Sequence, residues 1–142
     1  MKVVYSLFIF IFCFTACSLE RNNPLDPKGN PDVIVPPTPE GVVSASVGTT
    51  IRVQWKRTEN AELVDHYKLY RASHANGPYS FLLYVYEFGQ DDVIAIDESV
   101  VSGLVYFYKV SGVSPPVLGT NPPRGLEGRL SEHCDGQMAG GG

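Results

Sequence analysis

From Gly41 to Val113 apolar and polar residues alternate in short runs separated by glycine, proline and charged residues, the mark of strands that each bury one face. Thr50 to Lys56 is the cleanest run, with Ile51, Val53 and Trp55 on one side and Arg52, Gln54 and Lys56 on the other. His66 to Arg71 repeats it with Tyr67 and Leu69 inward. Asn76-Gly77-Pro78 makes a turn, because glycine tolerates positive φ and proline fixes the next position. Beyond it Phe81, Leu83 and Val85 fall on one side, and Leu82, Tyr84 and Tyr86 on the other, with Phe88 in the same register. Both faces of that run are apolar, which a two-sheet sandwich does not require. Asp92 to Asp97 sets Val93 and Ala95 against Ile94 and Ile96, and after Gly103 the rings of Tyr106 and Tyr108 share a side with Val110. With Val43, Ala45 and Val47 alternating with Ser44 and Ser46 in an edge-like first strand, six strands are predicted, at a spacing suited to an antiparallel β-sandwich.

The ends read differently. Residues 1–16 have one lysine at position 2, a nearly unbroken apolar run from Val3 to Phe14, and small residues at Thr15-Ala16, as a signal peptide does. The run is shorter than the roughly 20 apolar residues of a permanent bilayer span. Phe14-Thr15-Ala16-Cys17 resembles the bacterial lipobox, which implies that Cys17 is acylated and becomes the first mature residue. Ser18 at the next position, where aspartate would favour inner-membrane retention, points the resemblance to outer-membrane lipoproteins. Residues 17–39 hold six of the eleven prolines and predict an extended tether, reaching on the order of 70 Å at polyproline rise. The glycine-rich end, 134–142, predicts a disordered tail.

Between these ends the spacing Asp97, Val100, Gly103, Tyr106 resembles the tyrosine-corner strand of fibronectin type III domains, and Tyr67 to Arg71 resembles a strand common in bacterial members. The resemblance spans about residues 36–133, with the domain itself at 40–133. It implies an all-β, immunoglobulin-like sandwich of about seven strands, the last one short, and a core of Trp55, Tyr67, Leu69, Val100, Tyr106, Tyr108 and Val110. Tyr106 would send its hydroxyl back to upstream backbone. The likeness thins after the proline-rich loop Ser114–Pro123: the last strand is either very short or leaves an open sheet edge.

Composition narrows the function more than it names it. With 44% hydrophobic and 18% charged residues, 142 residues make one domain of ordinary core size. The net charge is -4, and -5 without residues 1–16; with no basic patch, a nucleic-acid partner is not expected. Asp91, Asp92, Asp97 and Glu98 bound a strand rather than form a carboxylate pair, and His133-Cys134 lacks the second pair that zinc needs. Asp26 and Asp32 are too few for calcium. No phosphate loop, nucleophile elbow or catalytic cluster is present, so no catalytic residue, metal site or cofactor is assigned and the chain is not expected to be an enzyme. Once Cys17 is acylated, Cys134 has no partner and reads as a free thiol. The expected role is a protein-interaction or spacer module, held at a membrane through its lipid and meeting another envelope or surface protein. The alternative is a polysaccharide-binding accessory using Tyr84, Tyr86 and Phe88 as an aromatic platform, and exposure of those rings is what separates the two.

Overall fold

In the computed structural model the structure describes residues 23–86 and 91–138; Cys17 and Phe88 lie outside them. Seven strands follow in order: β1 Glu40–Val47, β2 Thr50–Lys56, β3 His66–Ala72, β4 Ser80–Val85, β5 Asp92–Asp97, β6 Val105–Val113 and β7 Cys134–Gln137. One 3₁₀ turn, Ala61–Leu63, joins β2 to β3. The strands form a three-stranded sheet, β1-β2-β5, and a four-stranded sheet, β4-β3-β6-β7, with every pairing antiparallel.

The period-two pattern puts the core between these sheets. Ile51, Val53 and Trp55 from β2 meet Tyr67 and Leu69 from β3, Val93 and Ala95 from β5, and Tyr106, Tyr108 and Val110 from β6, all buried. Trp55 and Tyr67 meet edge to face at 5.4 Å between centroids. Val100 is only partly buried and packs on the margin of this cluster. Val101 donates its backbone N–H to the Tyr106 hydroxyl at 3.0 Å, which pins the loop before β6 to the strand.

Four local readings are corrected. Phe81 does not face inward: between β3 and β4 the register steps from Leu69↔Leu83 to Tyr70↔Phe81, so the extra residue Leu82 turns Phe81 to the solvent side with Tyr84. In β1, Val43 and Val47 are exposed while Val42 packs against the core, because β1 is an edge strand with an irregular start between Glu40 and Val43. The chain beyond Cys134 is not a disordered tail at its start, since β7 pairs with β6 from Tyr108↔Cys134 to Val105↔Gln137. Gly136 makes this possible: a Cβ there would lie 2.8 Å from Ser44 Oγ and 3.0 Å from Ile51 Cγ2. The Ser44 hydroxyl also donates to the carbonyl of Asp135, closing β1 of one sheet onto β7 of the other.

The fourth correction concerns the tether. Asn23 to Val33 folds into consecutive turns, with Asn23, Asp26 and Asn30 carbonyls accepting from Asp26, Gly29 and Asn30, and Val33 amides. Side chains of the same three residues accept from Leu25, Lys28 and Asp32 amides. Asparagine and aspartate make such turns by bonding backbone two residues on, so polar side chains here override the extended bias of the prolines. Val33, Pro36 and Pro39 are then buried, and Gly112 and Gly128 leave room for Pro36 to lie against the end of β6. Residues 33–39 are thus a strap on the domain.

Candidate functional site

The outward face of the four-stranded sheet carries the densest set of rings. On β4 and just after it stand Phe81, Tyr84 and Tyr86, 46%, 52% and 59% exposed. Phe81 and Tyr84 lie 4.6 Å apart at 51°, and Tyr84 and Tyr86 6.2 Å apart at 40°. On β3, His66 lies 5.3 Å from Tyr84 and 5.1 Å from Tyr86, and Tyr70 lies 6.0 Å from Phe81. Sequence reasoning had named Tyr84 and Tyr86; the structure adds His66, Tyr70 and Phe81. Phe81 was hidden because alternation carries no phase in a run where every residue is apolar.

A polar cluster adjoins the rings. Glu127, from the long segment between β6 and β7, crosses onto this face and accepts hydrogen bonds from Lys68 at 2.6 Å, Tyr70 at 2.5 Å and Ser111 at 2.6 Å. Burial alone would raise its carboxyl, but the donors outweigh it and hold the group below the ordinary glutamate range. The partner Tyr70 responds oppositely: burial and then the Glu127 carboxylate push its hydroxyl up to about 12. Glu127 is therefore an anion and Tyr70 a neutral donor at neutral pH. Sequence gave no signal for this cluster, since its members come from three separated segments. Across the rest of the face Lys109 sits 5.1 Å over the Tyr79 ring and Phe107 lies 5.7 Å from His133.

The other carboxylate of note is internal. Asp97 is buried and accepts from Arg71 at 2.8 Å, Tyr108 at 2.8 Å, and the Ser99 amide and hydroxyl at 2.9 and 2.8 Å. Arg71 also lies 4.8 Å over the Tyr106 ring. Burial would raise the Asp97 carboxyl, and the four donors hold it below its ordinary value; burial and the same carboxylate drive the Tyr108 hydroxyl upward. With every oxygen occupied by the fold, this network is a clasp rather than a place for substrate. Cys134 is half-buried and unpaired among the described residues, and burial raises its thiol above the ordinary range, the reverse of an activated cysteine. Among the described residues no three histidine, cysteine or acidic side chains gather as a metal site, and no helix is long and apolar enough to cross a membrane.

Two sheets in the orders 1-2-5 and 4-3-6-7, with a tyrosine hydroxyl holding the loop before β6, decide the architecture. The fold is that of a fibronectin type III domain. Solved structures agree. The chain is similar to a type III-like protein from Clostridium thermocellum, at 24% identity over 75% of this chain and 94% of that one, with a TM-score of 0.50. It is also similar to the third fibronectin III domain of the human KIAA0343 protein, at 17% identity over 78% of this chain and 87% of that one, with a TM-score of 0.52. No protein-family model and no curated protein matches the chain. At these identities the likeness concerns the type III fold and carries no activity with it.

Proposed function

We propose that this chain is a non-enzymatic, lipid-anchored binding module of the bacterial cell envelope, held at the outer membrane through Cys17. Its contact surface is the ringed face of the four-stranded sheet, and its partner is another envelope protein. The observation that carries the reading is the inclination of the exposed rings of Phe81, Tyr84 and Tyr86, 51° and 40° between neighbours, which makes a ridge rather than a flat platform for a sugar ring. Contiguous exposed aromatic surface is costly in water and marks contact sites, and tyrosine supplies large area at small entropy cost in protein interfaces. The rings are inclined to one another by 35° to 79° and make a ridged surface, suited to interdigitating side chains. A type III fold is compatible with an interaction or spacer role.

The exposure of Tyr84 and Tyr86 also favours a second reading, a polysaccharide laid across the rings with its hydroxyls reaching Glu127 and Lys68. One experiment separates the two. The intact chain is crosslinked in cells, with Cys17→Ala as the unanchored control and Tyr84→Ala/Tyr86→Ala as the face variant. A single envelope protein captured by the wild type and lost with both variants supports the protein reading. No protein captured, with retention on envelope polysaccharide that the face variant abolishes, supports the second. Capture unchanged by the face variant overturns both assignments of the surface.

A further inference from the structure

The loop joining β6 to the segment that leads into β7 is braced well beyond what a connection needs. Ser114 donates its amide to the Leu126 carbonyl at 2.9 Å and accepts the Leu126 amide on its hydroxyl at 2.9 Å. Val117, buried, donates to the Arg124 carbonyl at 3.0 Å and pairs with it as an isolated bridge. Thr120 then ties the tip, donating to the Val117 carbonyl at 3.0 Å and accepting the Arg124 amide at 2.7 Å. Gly119 takes φ +93°, and the residue this turn presents is Leu118, 95% exposed. A mobile loop would let such a side chain fold back on the domain. This one holds it out.

The loop leaves the sandwich where the strap of residues 33–39 lies against it. Pro36 and Pro37 lie against Gly112 near the end of β6, and the loop begins at Ser114. Val35 of the strap and Tyr86 are exposed at this same end, since β4 finishes beside the start of β3. The chain toward the anchor is short. From Cys17 to Asn23 there are six peptide steps, at most about 20 Å however they are arranged, and the turns from Asn23 to Val33 span about 25 Å at most. The strap end is therefore the end of the domain from which the chain runs to the acyl chains.

We propose that this end is a membrane-facing surface, and that Leu118 at the tip of the braced loop enters the interfacial region of the lipid bilayer, with Val35 beside it. Apolar side chains projecting from one end are what a bilayer interface accommodates, while Arg124, bridged to Val117 just below the tip, stays with the headgroups. The sheet face then stands upright on the membrane with its rings free for a partner. This inference rests on the lipid-anchor reading of Cys17.

The test uses the full, processed chain reconstituted in vesicles whose lipids carry bromine on the acyl chains. Trp55, the single tryptophan, is buried in the core, so Leu118→Trp adds a surface reporter. Leu104→Trp, in the exposed loop before β6, reports from the opposite end. The expected result is a roughly twofold loss of the emission added at position 118, as for a ring within the interface, and none at position 104. If mass spectrometry shows Cys17 acylated and the two reporters are equally unquenched, this inference is overturned while the anchor stands. If the mature chain carries no acyl group and leaves the membrane fraction, the anchor has failed and the inference falls with it.

Discussion

Tyr108 donates its hydroxyl to the buried carboxylate of Asp97 at 2.8 Å, and that bond joins the two sheets, since Asp97 ends β5 in one and Tyr108 lies inside β6 of the other. Arg71 and Ser99 complete the set of donors, so the charge is compensated by the fold's own groups. Removing the carboxylate leaves a guanidinium and a phenol without their acceptor. Asp97→Ala is expected to cost about 3–5 kcal/mol, as for breaking one side of a buried ion pair. Urea unfolding gives the value, and a loss under about 1 kcal/mol would show that the clasp is not holding the sheets.

The same network sets the pH dependence. The Asp97 and Glu127 carboxyls titrate below their unfolded values, so their contributions are complete above about pH 4 and are lost as pH falls through the folded values. Tyr108 has the opposite sign: its folded value is raised, so its contribution is complete below about pH 10 and is lost as pH rises through the folded value. Melting temperatures are expected to be flat from about pH 4 to about pH 8.5, above which the half-buried Cys134 thiol, also raised, begins to lose its contribution, and to fall outside that range. In Asp97→Asn the acid-side fall should shrink, and an unchanged acid profile would contradict the assignment.

Tyr106 carries two separable contributions. Its ring fills the core margin and its hydroxyl accepts from the Val101 amide. Tyr106→Phe should cost about 1 kcal/mol, the worth of one hydrogen bond, and Tyr106→Ala roughly 3–5 kcal/mol. Equal costs for the two would mean that the ring is not packed as described.

Gly136 tests the seventh strand. A Cβ at this position meets Ser44 and Ile51 within about 3 Å, so Gly136→Val forces β7 away from β1. The expected loss is about 1–3 kcal/mol, together with faster amide exchange over residues 134–137 and 105–108. Exchange in those residues that the substitution leaves untouched would return the segment to a tail.

Much of this fold was legible because strict alternation in Thr50–Lys56 and His66–Arg71 fixes both the strand and its phase. What was not legible has a common physical cause. In Ser80–Tyr86 a one-residue bulge moves Phe81 to the other face, and a run apolar on both sides gives no sign of the step. In Cys134–Gln137 the strand is held by backbone pairing and by a glycine that fits through lacking a side chain. In Val33–Pro39 proline was read for the hydrogen bonds it cannot make, whereas here it contributes buried rings. Glu127 sits in a loop without periodicity, and only the folded chain brings Lys68, Tyr70 and Ser111 to it. Of the site, Tyr84 and Tyr86 were readable as a pair and their neighbours were not.

The central claim, that the ringed face is where this module meets its partner, is tested most directly by placing a photoreactive phenylalanine analogue at single positions of the anchored chain in living cells. Tyr84 lies in the ringed face, and Ile94 lies exposed on the outer face of the other sheet. The account predicts one discrete crosslinked protein from position 84 and none from position 94. The same product from both positions, or a product from position 94 alone, would contradict it.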